Sequence, residues 1–232
     1  MGSSICQAAR SAEIPRCFVG AGPVDSTNAK LTTLELPLNY RTPVRWAEQV
    51  LRNPLALLSD HAYLERKAAS NALELMNRWP EPVCPEGWVN TLAAVARDEA
   101  AHLNSVTRLL SQRGGRLERL HKNPYANDLR RLVRKGAGIQ ELLDRLLVSA
   151  LIEARSCERF EVLSRVCQEA ELGQFYRSLC GSEFGHYTVF LQLARDIVQA
   201  RSVEGRWSEM VQAEALIIAS QPAGPRMHSG LE

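Results

Sequence analysis

Apolar residues recur at helical spacing along most of the chain, and the interruptions fall at proline and glycine. After Asn53-Pro54, Leu57, Leu58, Leu64, Ala68, Ala72, Leu75 and Met76 form one stripe that stops before Trp79-Pro80. A turn holding Pro82 and Pro85 follows, and from Trp88 a second stripe (Leu92, Val95, Ala96, Val106, Leu109) runs to Gly114-Gly115. Two more long helices are predicted over roughly Ile139 to Val166 and Glu171 to Gln199, and a last amphipathic stretch from about Trp207 to Ala219. A short helix through Trp46 and Val50 precedes them, with Thr42 as its N-cap and Pro43 at its first position. The pattern predicts an all-α fold. Residues 1–38, rich in Gly, Pro, Ser and Thr, read as an N-terminal arm, 39–220 as the helical domain and 221–232 as a frayed, flexible tail.

Acidic and imidazole side chains interrupt these stripes in a repeated order. Glu65 is followed by Glu99-x-x-His102, then Glu153 by Glu183-x-x-His186. On a helix, residues three apart share a face, so each Glu and His of a pair can reach one metal ion. Glu65 and Glu99 are equidistant from Pro82, and Glu153 and Glu183 from Gln168, so each pair sits level across its hairpin. Facing separates them from neighbouring carboxylates. Glu74, nine residues beyond Glu65, points to the opposite side of its helix, and Glu158 is turned away from Glu153. A third copy of the spacing, Glu118 to His121, lies after Gly114-Gly115 without a partner glutamate and is read as chance. The order Glu, Glu-x-x-His, Glu, Glu-x-x-His is the ligand set of ferritin-like di-iron and di-manganese bundles, in which four long helices are joined by a crossover. The excursion from Gly114 to Gly138 supplies that crossover, with short accessory helices beside the bundle.

Four carboxylates and two imidazoles suit two iron ions, or less readily two manganese ions, with positions left for O₂ or solvent. An unpaired carboxylate on an apolar stripe is costly, and a metal removes that cost. Asp98, four residues before His102, is a candidate partner for a ligand imidazole, or a surface carboxylate. Tyr63 and Tyr187 read as packed tyrosines; Gly181 and Gly185 leave room for substrate or for a neighbouring helix.

Composition removes several alternatives. Lys+Arg 28 against Asp+Glu 26 make the chain nearly neutral, so any nucleic-acid surface has to be a local patch. One exists in the excursion: Arg113, Arg116, Arg119, Lys122, Arg130, Arg131, Arg134 and Lys135 face only Glu118 and Asp128, and suit phosphates or a solvated helix face. The six cysteines are scattered and read as free thiols in a reducing compartment. Gly-x-Gly-x-x-Gly and Walker loops are absent, leaving no seat for a flavin, nicotinamide or nucleotide. No run is long and apolar enough to span a membrane, and residues 1–17 carry no signal-peptide core, so a cytoplasmic location is expected.

The two Glu/Glu-x-x-His halves, together with Asp98-Glu99-Ala100-Ala101-His102, His121-Lys122-Asn123-Pro124-Tyr125-Ala126 and Ser156-Cys157-Glu158-Arg159-Phe160, resemble the tRNA 2-methylthio-isopentenyladenosine hydroxylase family from about Leu36 to Gln199. The resemblance implies an O₂-dependent di-iron monooxygenase that hydroxylates the isopentenyl group of a modified adenosine beside the anticodon. Its iron ligands would be Glu65, Glu99, His102, Glu153, Glu183 and His186. Arg116, Lys122, Arg130, Arg131, Arg134 and Lys135 would grip the anticodon arm through phosphates, and electrons would come from a separate reductase. Two other classes use the same ligands: a rubrerythrin-like or manganese-catalase-like peroxide enzyme, and an iron-storage protein that assembles into a cage. The oligomeric state is not fixed by the residues.

Overall fold

A computed structural model describes residues 35–80, 82–118 and 121–231. Among them run seven helices: α1 (Val44–Val50), α2 (Pro54–Met76), α3 (Trp88–Gln112), α4 (Pro124–Arg130), α5 (Ile139–Val166), α6 (Ala170–Ile197) and α7 (Ala200–Ala219). Local chemistry sets the boundaries. Asn53 caps α2 by accepting from the Ala56 amide at 3.3 Å, with Pro54 at the first helical position. Asn123 and Pro124 repeat the device at α4. α3 ends where Gly114 enters the left-handed region (φ +75°) and the Gly115 amide closes on the Leu110 carbonyl at 2.9 Å.

α2 packs along α3 and α5 along α6, giving two hairpins that form a four-helix bundle of the ferritin-like kind. The crossover between them carries α4, which rests on α5 and α7. α5 lies at the centre: 20 of its 28 residues are buried, because the bundle covers one side while α1, α7 and the C-terminal segment cover the other. That second side holds a polar network. Arg155 pairs with Glu214 at 2.8 Å and Glu158 at 2.9 Å, and Arg159 sits over the Trp46 ring at 4.2 Å. No helix is long and apolar enough to cross a membrane among the described residues.

Several expectations change. Thr42 does not cap α1, because its amide and hydroxyl both bind the buried Glu158 carboxylate at 2.6 Å, leaving Pro43 at the cap. α7 begins at Ala200 rather than near Trp207, anchored by the buried Val203. The arm lies outside the described residues except for its last four, of which Leu36 and Leu38 are core residues.

Residues 221–231 are packed rather than frayed. The Met227 amide donates to Asp60 at 2.8 Å, its carbonyl accepts from Arg159, and Ser229 accepts from the Trp46 indole at 3.2 Å. Gly230 passes so close to Gln221 that a β-carbon there would lie 1.9 Å from its carbonyl oxygen.

Candidate metal centre

Each of the four bundle helices brings candidate ligand residues to the interior at one height. Glu65 comes from α2, Glu99 and His102 from α3, Glu153 from α5, and Glu183 and His186 from α6. Glu65, Glu99, His102 and Glu183 each offer a ligand atom within 4.8 Å of the others, and so do Glu99, Glu153, Glu183 and His186. The two groups share Glu99 and Glu183. The donor set is thus two adjacent sites joined by two carboxylates, each with an outer glutamate and an imidazole.

The fit to metal ions can be tested on the polar atoms themselves. All four glutamates and His186 are buried, and 13% of the His102 side chain is exposed. Both Glu99 oxygens, one Glu183 oxygen, His102 Nδ1 and both His186 nitrogens lack aligned hydrogen bonds. His186 Nδ1 nevertheless approaches Glu99 to 2.6 Å and His102 Nδ1 approaches Glu183 to 3.2 Å, so donor atoms crowd one point without satisfying one another. Such an arrangement suits cations.

Protonation carries the same strain. Burial, reinforced by the neighbouring carboxylates, drives the Glu65 and Glu153 carboxyls well above the usual range. Burial would lower His102, yet the surrounding Glu183, Glu65 and Glu99 push it up to about 12, and Glu99 raises His186. Burial alone would raise Glu99; the adjacent imidazoles reverse this and hold it below the carboxylate range. Protons favoured on Glu65, Glu153 and the two imidazoles would have to leave for these groups to ligate a cation.

The carboxylates set aside by facing lie elsewhere. Glu74 is exposed and pairs with Arg78 at 2.8 Å, and Glu158 belongs to the Arg155 network. His121 holds the excursion to α2: Nε2 lies 2.8 Å from Asp60, Nδ1 2.8 Å from Lys67 Nζ, and its ring stacks on Tyr63 with centroids 4.8 Å apart. Asp98 is half-buried, and the imidazole it approaches is His186, at 3.7 Å, rather than His102; it also bonds Arg97. Tyr187 is buried against Phe184 and Trp207.

One participant is absent from the ligand pattern. His61, one turn before Glu65 on the same face, is 1% exposed and bonds Glu65 Oε1 through Nε2. Burial pushes its pKa down to about 4. A histidine four residues before a predicted ligand on an apolar stripe was the available signal.

Of the excursion cations, Arg116, Lys122, Arg130, Arg131 and Lys135 are exposed, and Arg119 lies outside the described residues. Arg131 pairs with Asp128 at 2.6 Å. Arg134 differs: its guanidinium straddles the buried Asp144 with two contacts of 2.8 Å, so it is an internal ion pair before it is a phosphate contact. Arg113 is likewise tied to Glu169 and Glu171. Arg130 lines a narrow cleft of about 70 Å³ between α2 and α5 beneath α4, with Lys67, Arg145, Asn71 and Ser149, apolar walls including Leu64, Val148 and Ile152, and Glu153 itself.

Comparison with known proteins identifies relatives over most of the chain. The tRNA 2-(methylsulfanyl)-N(6)-isopentenyladenosine(37) hydroxylase of Pseudomonas putida is 40% identical over 195 residues, 84% of this chain and 92% of that protein. The Salmonella typhimurium protein of the same name is 28% identical over 240 residues, 84% and 88% of the two chains. Among solved structures, a Synechococcus protein with aldehyde deformylating oxygenase activity superposes with a TM-score of 0.77 at 35% identity, covering 83% of this chain and 96% of that one. Residues 30–229 match the family described as tRNA-(MS[2]IO[6]A)-hydroxylase (MiaE), a span that takes in the packed C-terminal segment, and the chain belongs to that family.

Proposed function

We propose that this protein hydroxylates the isopentenyl group of a hypermodified adenosine in tRNA, as an O₂-dependent di-iron monooxygenase supplied with electrons by a separate reductase. The observation that carries the reading is the pair of ligand groups joined by Glu99 and Glu183, in a chain of this family. Glu65, Glu99, His102 and Glu183 would hold one iron, and Glu99, Glu153, Glu183 and His186 the other. When bound, the centre supplies reduction of O₂ and insertion of one oxygen atom into a C–H bond.

The chain's own residues do the rest. The cleft between α2 and α5 reaches Glu153, and its apolar wall of Leu64, Val148 and Ile152 suits a branched hydrocarbon while excluding water. Lys67 and Arg130 in its lining suit the phosphates on either side of an extruded nucleotide. Arg116, Lys122, Arg131 and Lys135 extend that charge along the anticodon arm. Asp98 would orient His186. Peroxide chemistry on the same ligands needs no such cationic cleft, and an aldehyde would leave Lys67 and Arg130 without a role.

The test is metal analysis of the purified protein followed by turnover of tRNA bearing the isopentenylated adenosine, with O₂ and a reductant. Iron near two per chain and a product heavier by one oxygen atom are expected. Iron-loaded protein that leaves such tRNA unchanged overturns the reading.

A further inference from the structure

Hydrogen-bond bookkeeping inside the cleft singles out one side chain. Ser149 Oγ donates to the Arg145 carbonyl at 3.0 Å, one turn back on α5, and its single proton is then committed. It can only accept from Asn71, whose Nδ2 lies 2.9 Å away. That contact fixes the otherwise ambiguous amide: nitrogen toward Ser149, carbonyl oxygen away from it.

The other polar groups of the cleft are differently engaged. Asn123 spends its side-chain oxygen on the Ala126 amide as the cap of α4, at 3.1 Å. Lys67 and Arg145 are donors only, held by His121 at 2.8 Å and by Glu141 at 2.9 Å. Glu153 belongs to the metal cluster. Among the described side chains lining the cleft, Asn71 Oδ1 is therefore a neutral carbonyl acceptor that no protein donor engages.

We propose that Asn71 Oδ1 is the specificity-determining acceptor for the single N6–H that an N6-isopentenylated adenosine retains, and that Ser149 is the positioning residue that aims it. This rests on the function proposed above. An N6-alkylated adenine carries one hydrogen and one alkyl chain on the same nitrogen, so accepting the hydrogen sets the direction of the chain. Ser149 and Glu153 are one helical turn apart, about 5–6 Å between their β-carbons, a distance comparable with the reach of an isopentenyl group. The contact at Asn71 thus points the hydrocarbon toward the metal ligands.

A site that hydrogen-bonds a substrate N–H rejects the analogue lacking it, because the acceptor is left unpaired. The experiment uses the metal-loaded full chain and two anticodon stem-loop RNAs, one with 2-(methylsulfanyl)-N6-isopentenyladenosine and one with the same nucleoside methylated at N6. The wild type is expected to lose about ten- to a hundredfold in kcat/KM on the methylated RNA. Asn71→Ala should be slowed by a similar factor on the first RNA and should no longer distinguish the two. Ser149→Ala should fall between, with iron content unchanged in both variants. Should Asn71→Ala fail to fold, Ser149→Ala and the wild-type preference still decide the matter. Equal use of both RNAs by the wild type, or an undiminished preference in Asn71→Ala, overturns the inference. A wild type that turns over neither RNA instead overturns the function on which it rests.

Discussion

The two halves of the bundle carry the same ligand motif in different surroundings. One turn before its outer glutamate, the first half has His61, bonded to Glu65 and enclosed by Phe160, Tyr176 and Phe175 with ring centroids 4.8, 5.8 and 5.8 Å away. At the corresponding place before Glu153, the second half has Ser149, which lines the cleft. One outer glutamate therefore bonds a histidine packed among aromatic rings, while the other lines the cleft. A repeated donor set suits cations in both halves; under the proposed function the neighbours of each outer glutamate would make one half the anchor and the other the side that meets substrate.

The largest effect should come from the residues the halves share. Glu99 belongs to both groups, so Glu99→Ala is expected to lose nearly all metal and all detectable turnover. Glu65→Ala leaves Glu99, Glu153, Glu183 and His186 in place and should keep about half the metal, a ratio that follows from ligand sharing. Helix content by circular dichroism should persist in both. Full metal occupancy in both variants would sink the site assignment.

Why the cluster of candidate ligands was legible in the sequence, and its surroundings less so, has a physical basis. Glu65, Glu99, Glu153 and Glu183 stand on apolar stripes, where a charge without a partner is anomalous enough to be noticed. The helices of both hairpins followed from the same periodicity, with α5 running Ile139–Val166 as expected. The opposite side of α5 was hidden. Facing shows only that Glu158 is turned away from Glu153; Arg155, Glu158 and Arg159 are all buried there because Glu214, Thr42 and the Met227 carbonyl compensate them from distant parts of the chain. Periodicity cannot distinguish a charge satisfied by water from one satisfied by residues far away in sequence. The C-terminal segment misleads for a related reason: Met227, His228 and Ser229 pack as single side chains on an irregular backbone, which leaves no period to detect.

His61 gives the next prediction. Removing a hydrogen-bond partner of a metal ligand typically costs about 10–100-fold in metal affinity. His61→Leu should show such a loss when metal is titrated against a chelator, while His61→Gln, which can still donate to Glu65, recovers part of it. Ser149→Ala, at the equivalent place beside the cleft, should bind metal as the wild type does. Equal losses in the two halves would remove the distinction between anchor and cleft.

The smallest effects separate two arginines that sequence alone treats alike. Arg130 is exposed beside the cleft, so Arg130→Ala should weaken tRNA binding a few-fold and reduce the salt dependence of the affinity by about one charge. Arg134→Ala should leave that salt dependence unchanged, because Asp144 already holds its guanidinium. The loss appears in stability instead, at about 1–3 kcal/mol for a buried carboxylate left with fewer partners, though Arg206 at 2.9 Å remains. Burial would raise the Asp144 pKa, but the two arginines outweigh it and hold it low, so its contribution is present above the unfolded value and fades as pH falls through the folded one. Without Arg134 the folded value moves up, and acid unfolding followed by circular dichroism should begin at a higher pH than in the wild type. If Arg134→Ala instead weakens tRNA binding as Arg130→Ala does, with acid stability unchanged, Arg134 belongs to the nucleic-acid surface and its pairing with Asp144 is incidental.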